Sequence, residues 1–222
     1  MNKSFNIIFC LLIIVVLFVP PSSSYGQLLF GLNTGLTHNG LTGDAPEDAS
    51  FKRLIGYTIG VHFEYNLTKD IIVGLGTRYY RTGTIVTYDV GEKETKDSFN
   101  ISLSYISFPV IFKVLTGGKH TYFTSGLDYR QLLKANLKYI VSSAPDRNIK
   151  EQLQNFDVEI FAGFGGIISL GKPSIGIELR YSHSLNNISR DNPDLNSGLP
   201  ARFRFTGFQL LLFLNYSSKK LQ

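Results

Sequence analysis

The feature that most constrains this chain is the alternation of apolar and polar residues, repeated in segment after segment from about residue 28 to the C-terminus. Side chains on a strand point to opposite faces with a period of two, so this pattern reads as strands with one apolar face. Over Leu54 to Leu67, one face carries Ile55, Tyr57, Ile59, Val61, Phe63, Tyr65 and Leu67. The other carries Gly56, Thr58, Gly60, His62, Glu64 and Asn66. After a short turn at Asn66 to Asp70, Ile71, Val73, Leu75, Thr77 and Tyr79 alternate with Ile72, Gly74, Gly76, Arg78 and Tyr80. Val158, Ile160, Ala162 and Phe164 oppose Asp157, Glu159, Phe161 and Gly163. Ile175, Ile177, Leu179 and Tyr181 oppose Gly176, Glu178, Arg180 and Ser182. Phe208, Leu210, Leu212, Leu214 and Tyr216 close the series.

With further strands at about 28–37, 99–115 and 119–133, the reading gives eight. The parity of 99–115 slips near Tyr105-Ile106, which predicts a bulge there, beside Pro109. Tight turns near 67–70, 116–119 and 170–173 alternate with long polar segments near 38–53, 83–98, 134–155 and 185–202. That rhythm predicts an all-β, antiparallel up-and-down barrel with both termini at one end. In a membrane barrel the tight turns face the periplasm and the long loops face outside.

The first residues set the compartment. Lys3 precedes an apolar run from Phe5 to Val19 that stops at Pro20-Pro21, followed by small residues up to Gly26. A crossing helix needs about twenty apolar residues, so this run reads as a secretory signal over 1–26, cleaved before Gln27. Residues 27–222 are then expected to form one barrel domain. Cys10, the single cysteine, falls inside the signal, so the mature chain has no disulfide, thiolate ligand or cysteine nucleophile. The net charge of +5 is scattered, with no basic run that would suggest nucleic acid.

Orientation of the two faces follows from their chemistry. A soluble eight-stranded carrier turns its apolar face inward, whereas a membrane barrel turns it outward and fills a narrow lumen with polar side chains. Here the polar face carries His62, Glu64, Arg78, Asp128, Arg130, Asp157, Glu159, Glu178 and Arg180, interleaved with glycines. Such a set suits a lumen closed by Arg–carboxylate pairs with water between them. Tyr57, Tyr65, Tyr79, Tyr181 and Tyr216 stand towards strand ends on the apolar face, where interfacial aromatics belong. The expected location is the bacterial outer membrane, in contact with its lipid and lipopolysaccharide and with other envelope proteins.

The segments Gln27-Leu28-Leu29-Phe30-Gly31-Leu32-Asn33-Thr34-Gly35 and Ser104-Tyr105-Ile106-Ser107-Phe108-Pro109-Val110-Ile111-Phe112-Lys113 resemble the PorT-like outer-membrane β-barrel proteins of Bacteroidetes-type bacteria. The resemblance spans the mature chain and implies the barrel fold and outer-membrane location. It also implies a link to type IX protein secretion, the role of one family member.

Chemical sites are sparse. Ser182-His183-Ser184 lies near the outer end of the seventh strand, where a rim lipid hydrolase would keep its nucleophile and base. Neighbouring residues on a strand point to opposite faces, so Ser182 and His183 cannot pair directly. The oxygen-rich Asp191 to Asn196 lacks the central glycine and terminal glutamate of a calcium loop and reads as turns. His38, His62, His120 and His183 fall on separate elements, which speaks against zinc. Gly74-Leu75-Gly76 sits within a strand and is no nucleotide loop. The expectation is a barrel without cofactor or metal that is not an enzyme, acting through its loops or within an envelope assembly. A small ion pore, a rim hydrolase and a lipocalin-like periplasmic carrier are the alternatives.

Overall fold

The computed structural model describes residues 27–43, 49–89, 96–118, 120–140, 145–190 and 202–217. The signal segment 1–26 and Asp191 to Asn196 lie outside these residues. The strands are β1 (Leu28–Gly43), β2 (Ala49–Asn66), β3 (Ile71–Asp89), β4 (Lys96–Leu115), β5 (Thr121–Tyr139), a two-residue β6 (Arg147–Asn148), β7 (Phe156–Ser169), β8 (Pro173–Ser184) and β9 (Phe203–Ser217). Eight of them form a closed antiparallel ring in the order β1-β2-β3-β4-β5-β7-β8-β9, and β9 pairs back onto β1 from Leu29↔Ser217 to Gly43↔Phe203. The two-residue β6 stands outside the ring and pairs only with β5, at Asn136↔Asn148 and Leu137↔Arg147.

Tight connections gather at the end that holds Gln27 and Ser217. Thr68 Oγ1 accepts the amides of Asp70 and Ile71 at 3.2 and 3.0 Å in the first turn. Gly171, with φ of +96°, takes the first central position of the Leu170–Pro173 hairpin, where an L side chain would be strained.

Burial alternates as the sequence pattern demands. Around the middle of the ring, Leu32, Ile59, Val61, Phe63, Phe112, Ile160, Ile177 and Leu212 are exposed on the outer wall. The inward positions hold the polar set. This orientation is the reverse of a soluble carrier, which would keep its apolar face inside. On β2, Tyr57 and Tyr65 are eight residues apart. At about 3.4 Å per residue and ~40° of tilt they are separated by about 21 Å of height, close to the apolar band of a membrane barrel.

Strands run further than the alternation suggested. Most of 38–53 and 83–98, expected as loop, is strand, because the pattern continues beyond the aromatic level with its chemistry inverted. Loopward of Tyr57 and Tyr129 the interior becomes mainly apolar, built from Leu41, Tyr80, Val86, Ile101, Leu103, Tyr105, Leu132, Ala135, Leu137, Phe203 and Phe205, with Asn39, Thr82 and Thr84 buried among them. The outer wall there becomes polar, with Lys52, Arg81, Lys134, Lys138 and Arg204 exposed.

Two bulges produce the inversion on β2 and β5. The β2–β3 register shifts between Arg53 and Tyr57. The β4–β5 register shifts between Ser104↔Lys134 and Tyr105↔Leu132, which leaves Leu133 of β5 unpaired. The extra residue therefore lies on β5, not at Tyr105-Ile106 of β4, whose odd-numbered residues stay inward from Ile101 to Lys113. On β5 the inward series runs 128, 130, 132 and then 135, 137. Without the bulge, Lys134 and Lys138 would face the apolar interior, a desolvation cost that no partner there would offset.

Segments expected as outer loops also turn inward. Ile149, Leu153 and Ile188 join the apolar core. Their backbones knit across the barrel mouth, with Ile149 N donating to Ala135 O at 3.0 Å and Gln154 N to Ile188 O at 2.8 Å.

Lumen glycines leave room for large neighbours. A Cβ on Gly165 would lie 2.5 Å from the Tyr122 ring and hydroxyl, whereas one on Gly117, in a tight turn, meets nothing within 4 Å. Gly165→Leu is therefore expected to destabilise the barrel by about 1–3 kcal/mol. It should lower the temperature at which the folded band shifts on unboiled gels, while Gly117→Ala leaves that temperature unchanged.

Candidate functional site

A ring of eight strands encloses a space just wide enough for side chains, and here that space holds ten acidic, basic and imidazole side chains. His62, Glu64, Arg78, Lys113, Asp128, Arg130, Asp157, Glu159, Glu178 and Arg180 are all buried, Arg130 and Arg180 at 0% exposure. They come from β2, β3, β4, β5, β7 and β8, each inward because it shares the parity of its strand's glycine or serine positions. Four cations face five carboxylates, with His62 beside them.

The groups form two clusters along the axis. Nearer the tight turns, Lys113 Nζ lies 2.5 Å from Glu64 Oε1 and 3.9 Å from Glu178 Oε2. Arg180 Nε contacts Glu178 Oε1, and the Tyr122 hydroxyl donates to Glu178 Oε2 at 2.7 Å. The His62 ring is held between Asn33 at 3.0 Å and Asn215 at 2.7 Å, with Glu64 Oε1 at 3.7 Å. The Lys113 ammonium also stands 4.7 Å from the centre of Tyr122 and 4.8 Å from that of Phe213, so aromatic faces share the work of the lost water.

In the second cluster, Arg78 donates to Asp128 Oδ2 at 2.6 Å and the Ser107 hydroxyl to Asp128 Oδ1 at 2.6 Å. Arg130 contacts Glu159 and lies 3.6 Å from Asp157 and 3.7 Å from Asp128. Ser184 donates to Asp157 at 2.8 Å and Gln209 to Glu159 at 3.0 Å. The Arg130 guanidinium also stacks 4.2 Å over Tyr80, the residue that opens the apolar layer. Charge layer and apolar layer thus share one contact.

All nine charged residues expected in the lumen are on the inner face, and every one makes a direct polar contact rather than only one spaced for water. Lys113 was missed. It belongs to the inward row Tyr105, Ser107, Pro109, Ile111, and a parity slip at Tyr105-Ile106 would have turned it outward. Asn33, Tyr122, Gln209 and Asn215 were missed as well, since neutral groups on a polar face give no charge signal.

The five tyrosines all point outward. Tyr65 and Tyr216 sit at the tight-turn end, one residue from the ends of β2 and β9. Tyr57 and Tyr79 stand 6.0 Å apart, and Tyr181 packs 5.3 Å from Phe208, at the other margin of the apolar band.

The Ser182-His183-Ser184 segment does not assemble a nucleophile and base. Ser182 and Ser184 are buried in the lumen, where they bond to Gln209 and Asp157. His183 lies on the opposite face, paired in register with Thr206. Among the described residues no group of three His, Cys, Asp or Glu side chains could hold a metal ion.

Residues 21–190 match the family model described as "Outer membrane protein beta-barrel domain". No curated protein matches the chain. Among solved structures, the attachment invasion locus protein Ail of Yersinia pestis is 10% identical, with a TM-score of 0.48 over 85% of this chain and 98% of that one. OprG from Pseudomonas aeruginosa is 14% identical, with a TM-score of 0.47 over 87% and 96%. Neisserial surface protein A is 11% identical, with a TM-score of 0.47 over 83% and 96%.

Removing one partner from a buried charge cluster strands the rest. Arg130→Met leaves Asp157 and Glu159 facing each other without a cation, while Asp128 keeps Arg78, and is expected to cost about 3–5 kcal/mol. Adding Glu159→Gln should recover part of that loss. Urea unfolding in detergent, followed by tyrosine fluorescence, checks both values.

Proposed function

Starting from a chain that belongs to the outer membrane protein beta-barrel domain family, we propose that it works without catalysis, through the loop end and outer wall of a closed barrel. The observation that carries this reading is the two-layer filling of the lumen. The charge clusters occupy the half nearer the tight turns, and the apolar core, capped by Ile149, Leu153 and Ile188, occupies the other half. A permeant ion would have to break the first and cross the second, where a few neutral groups such as Asn39, Thr82 and the Tyr105 hydroxyl replace little of its water. An ion pore is therefore the weaker reading.

What remains accessible is the surface. The loop end would serve as an interaction module, or as a docking face within an envelope secretion or transport assembly. Membrane lipid, lipopolysaccharide and other envelope proteins are the partners in this reading. The two aromatic levels would anchor the barrel at the lipid interfaces. A place in type IX secretion draws only on the PorT-like resemblance of the first strand and of Ser104 to Lys113.

A non-enzymatic role is supported by the separation of Ser182 from His183 on opposite faces. His183→Ala should leave the lipid A and phospholipid profile of expressing cells unchanged in mass spectra, and a lost or new species would reinstate a rim hydrolase.

The closed-barrel reading is tested in planar bilayers. The wild-type protein is expected to give no resolvable conductance steps in molar salt. Stable steps that change in size with Arg78→Ala or Arg180→Ala would overturn it in favour of the pore.

A further inference from the structure

The outer wall carries a second polar arrangement, separate from the lumen. Arg81 on β3 pairs in register with Ser104 on β4, and Ser104 pairs with Lys134 on β5. Tyr57 on β2 stands directly beside Arg81. The Tyr79 hydroxyl donates to Ser104 Oγ at 2.9 Å, and Arg81 Nε donates to Ser102 Oγ at 3.3 Å. Neighbouring strands are about 4.8 Å apart, so Arg81 and Lys134 flank the serines with backbones about 10 Å apart. Two long cationic side chains can close on one anion across that gap. All ion pairs among the described residues lie in the lumen, and none involves Arg81 or Lys134.

The position of the row selects its ligand. Arg81 is one alternate residue loopward of Tyr79, at the margin of the apolar band, and the row faces sideways rather than out of the barrel mouth. Below it on β4, Phe108, Val110 and Phe112 are exposed on the same face. A partner with an anionic head beside the row and hydrocarbon below it is a membrane lipid. The β5 bulge is what puts Lys134 on this wall at all, since the unbroken parity of β5 would point it inward. Bulges recur where a side chain must be re-aimed.

We propose that the β3–β5 wall binds a phosphate-bearing glycolipid of the outer leaflet. Arg81 and Lys134 hold the phosphate, Ser102 meets its sugar hydroxyls while Ser104, buried under the Tyr79 hydroxyl, supports the row from beneath, and the aromatic and aliphatic wall below receives an acyl chain. This deepens the reading above, in which outer-membrane lipid and lipopolysaccharide are partners, and rests on its placing the loop end outside.

The test uses the folded barrel in detergent, titrated with bisphosphorylated lipid A and followed by native mass spectrometry. One-to-one adducts are expected. Lipid A stripped of phosphate, and phosphatidylglycerol, should each bind at least roughly tenfold more weakly, and Arg81→Gln and Lys134→Gln should each lose roughly tenfold, the scale of one charge-assisted contact. Lys172→Gln at the tight-turn end should bind as wild type. Heat-shifted gel migration identifies any variant that has not folded. Equal binding of phosphate-free lipid A overturns the phosphate role, equal binding of phosphatidylglycerol overturns the glycolipid assignment, and a double variant that binds as wild type overturns the site. Labelling of Asn148→Cys from outside intact cells separates the causes: a labelled cysteine with no lipid effect refutes this inference alone, and an unlabelled one refutes the orientation beneath it.

Discussion

Every backbone N–H and C=O that enters hydrocarbon must be paired within the protein, and that requirement governs the rest of this structure. The chain meets it by closing β9 onto β1 through fifteen register pairs, so the ring has no free edge. Closure at eight strands fixes the bore, and a bore of that size has to be filled. Glycine at positions such as Gly165 and long side chains at positions such as Arg130 are the two halves of one filling problem. The volume missing from one strand is occupied by a neighbour.

The filling explains why so many charges tolerate burial. An isolated buried charge would cost several kcal/mol, but Asp128 receives Arg78 and Ser107, and Glu178 receives Arg180 and Tyr122. Buried pairs of this kind add little net stability over a well-packed apolar core. What they add here is register. A one-residue slip of β5 would turn Asp128 and Arg130 onto the lipid face, where neither has a partner. The apolar layer above them works in the usual way, by excluding water from Leu132, Leu137 and Phe205.

Period-two alternation was enough to read the eight strands, the closed antiparallel ring and the outward apolar face, because those follow from side-chain parity alone. It failed where parity changes meaning. Beyond Tyr57 and Tyr129 the same rhythm continues with apolar residues inside and charged ones outside, so polar stretches such as 83–98 look like loop although much of them is strand. The bulge was assigned to the wrong member of a strand pair. The mismatch between β4 and β5 is a property of two segments, and either can absorb the extra residue. Lys113 stayed hidden for the same reason. Partner choice across the lumen, such as Lys113 with Glu64, depends on which strands come to face each other around the ring, and no spacing within one segment encodes that.

The two bulges connect these observations. Each lies where the surroundings of the outer wall pass from hydrocarbon to water, and each shifts its strand by one residue. On β2 the shift places Phe51 against the apolar core and Lys52 outside; on β5 it does the same for Ala135 and Lys134. A strand that kept one parity throughout would need apolar residues at alternate positions facing out in lipid and facing in above it. The other strands reach that state by changing residue type at fixed parity, as β3 does between Arg78 and Val86. β2 and β5 reach it by changing parity at fixed pattern, which moves long cations laterally to the wall just beyond the aromatic margin. The lumen is thus spent on holding the barrel together, and the chemistry left free to meet another molecule stands on the outer wall and the loops.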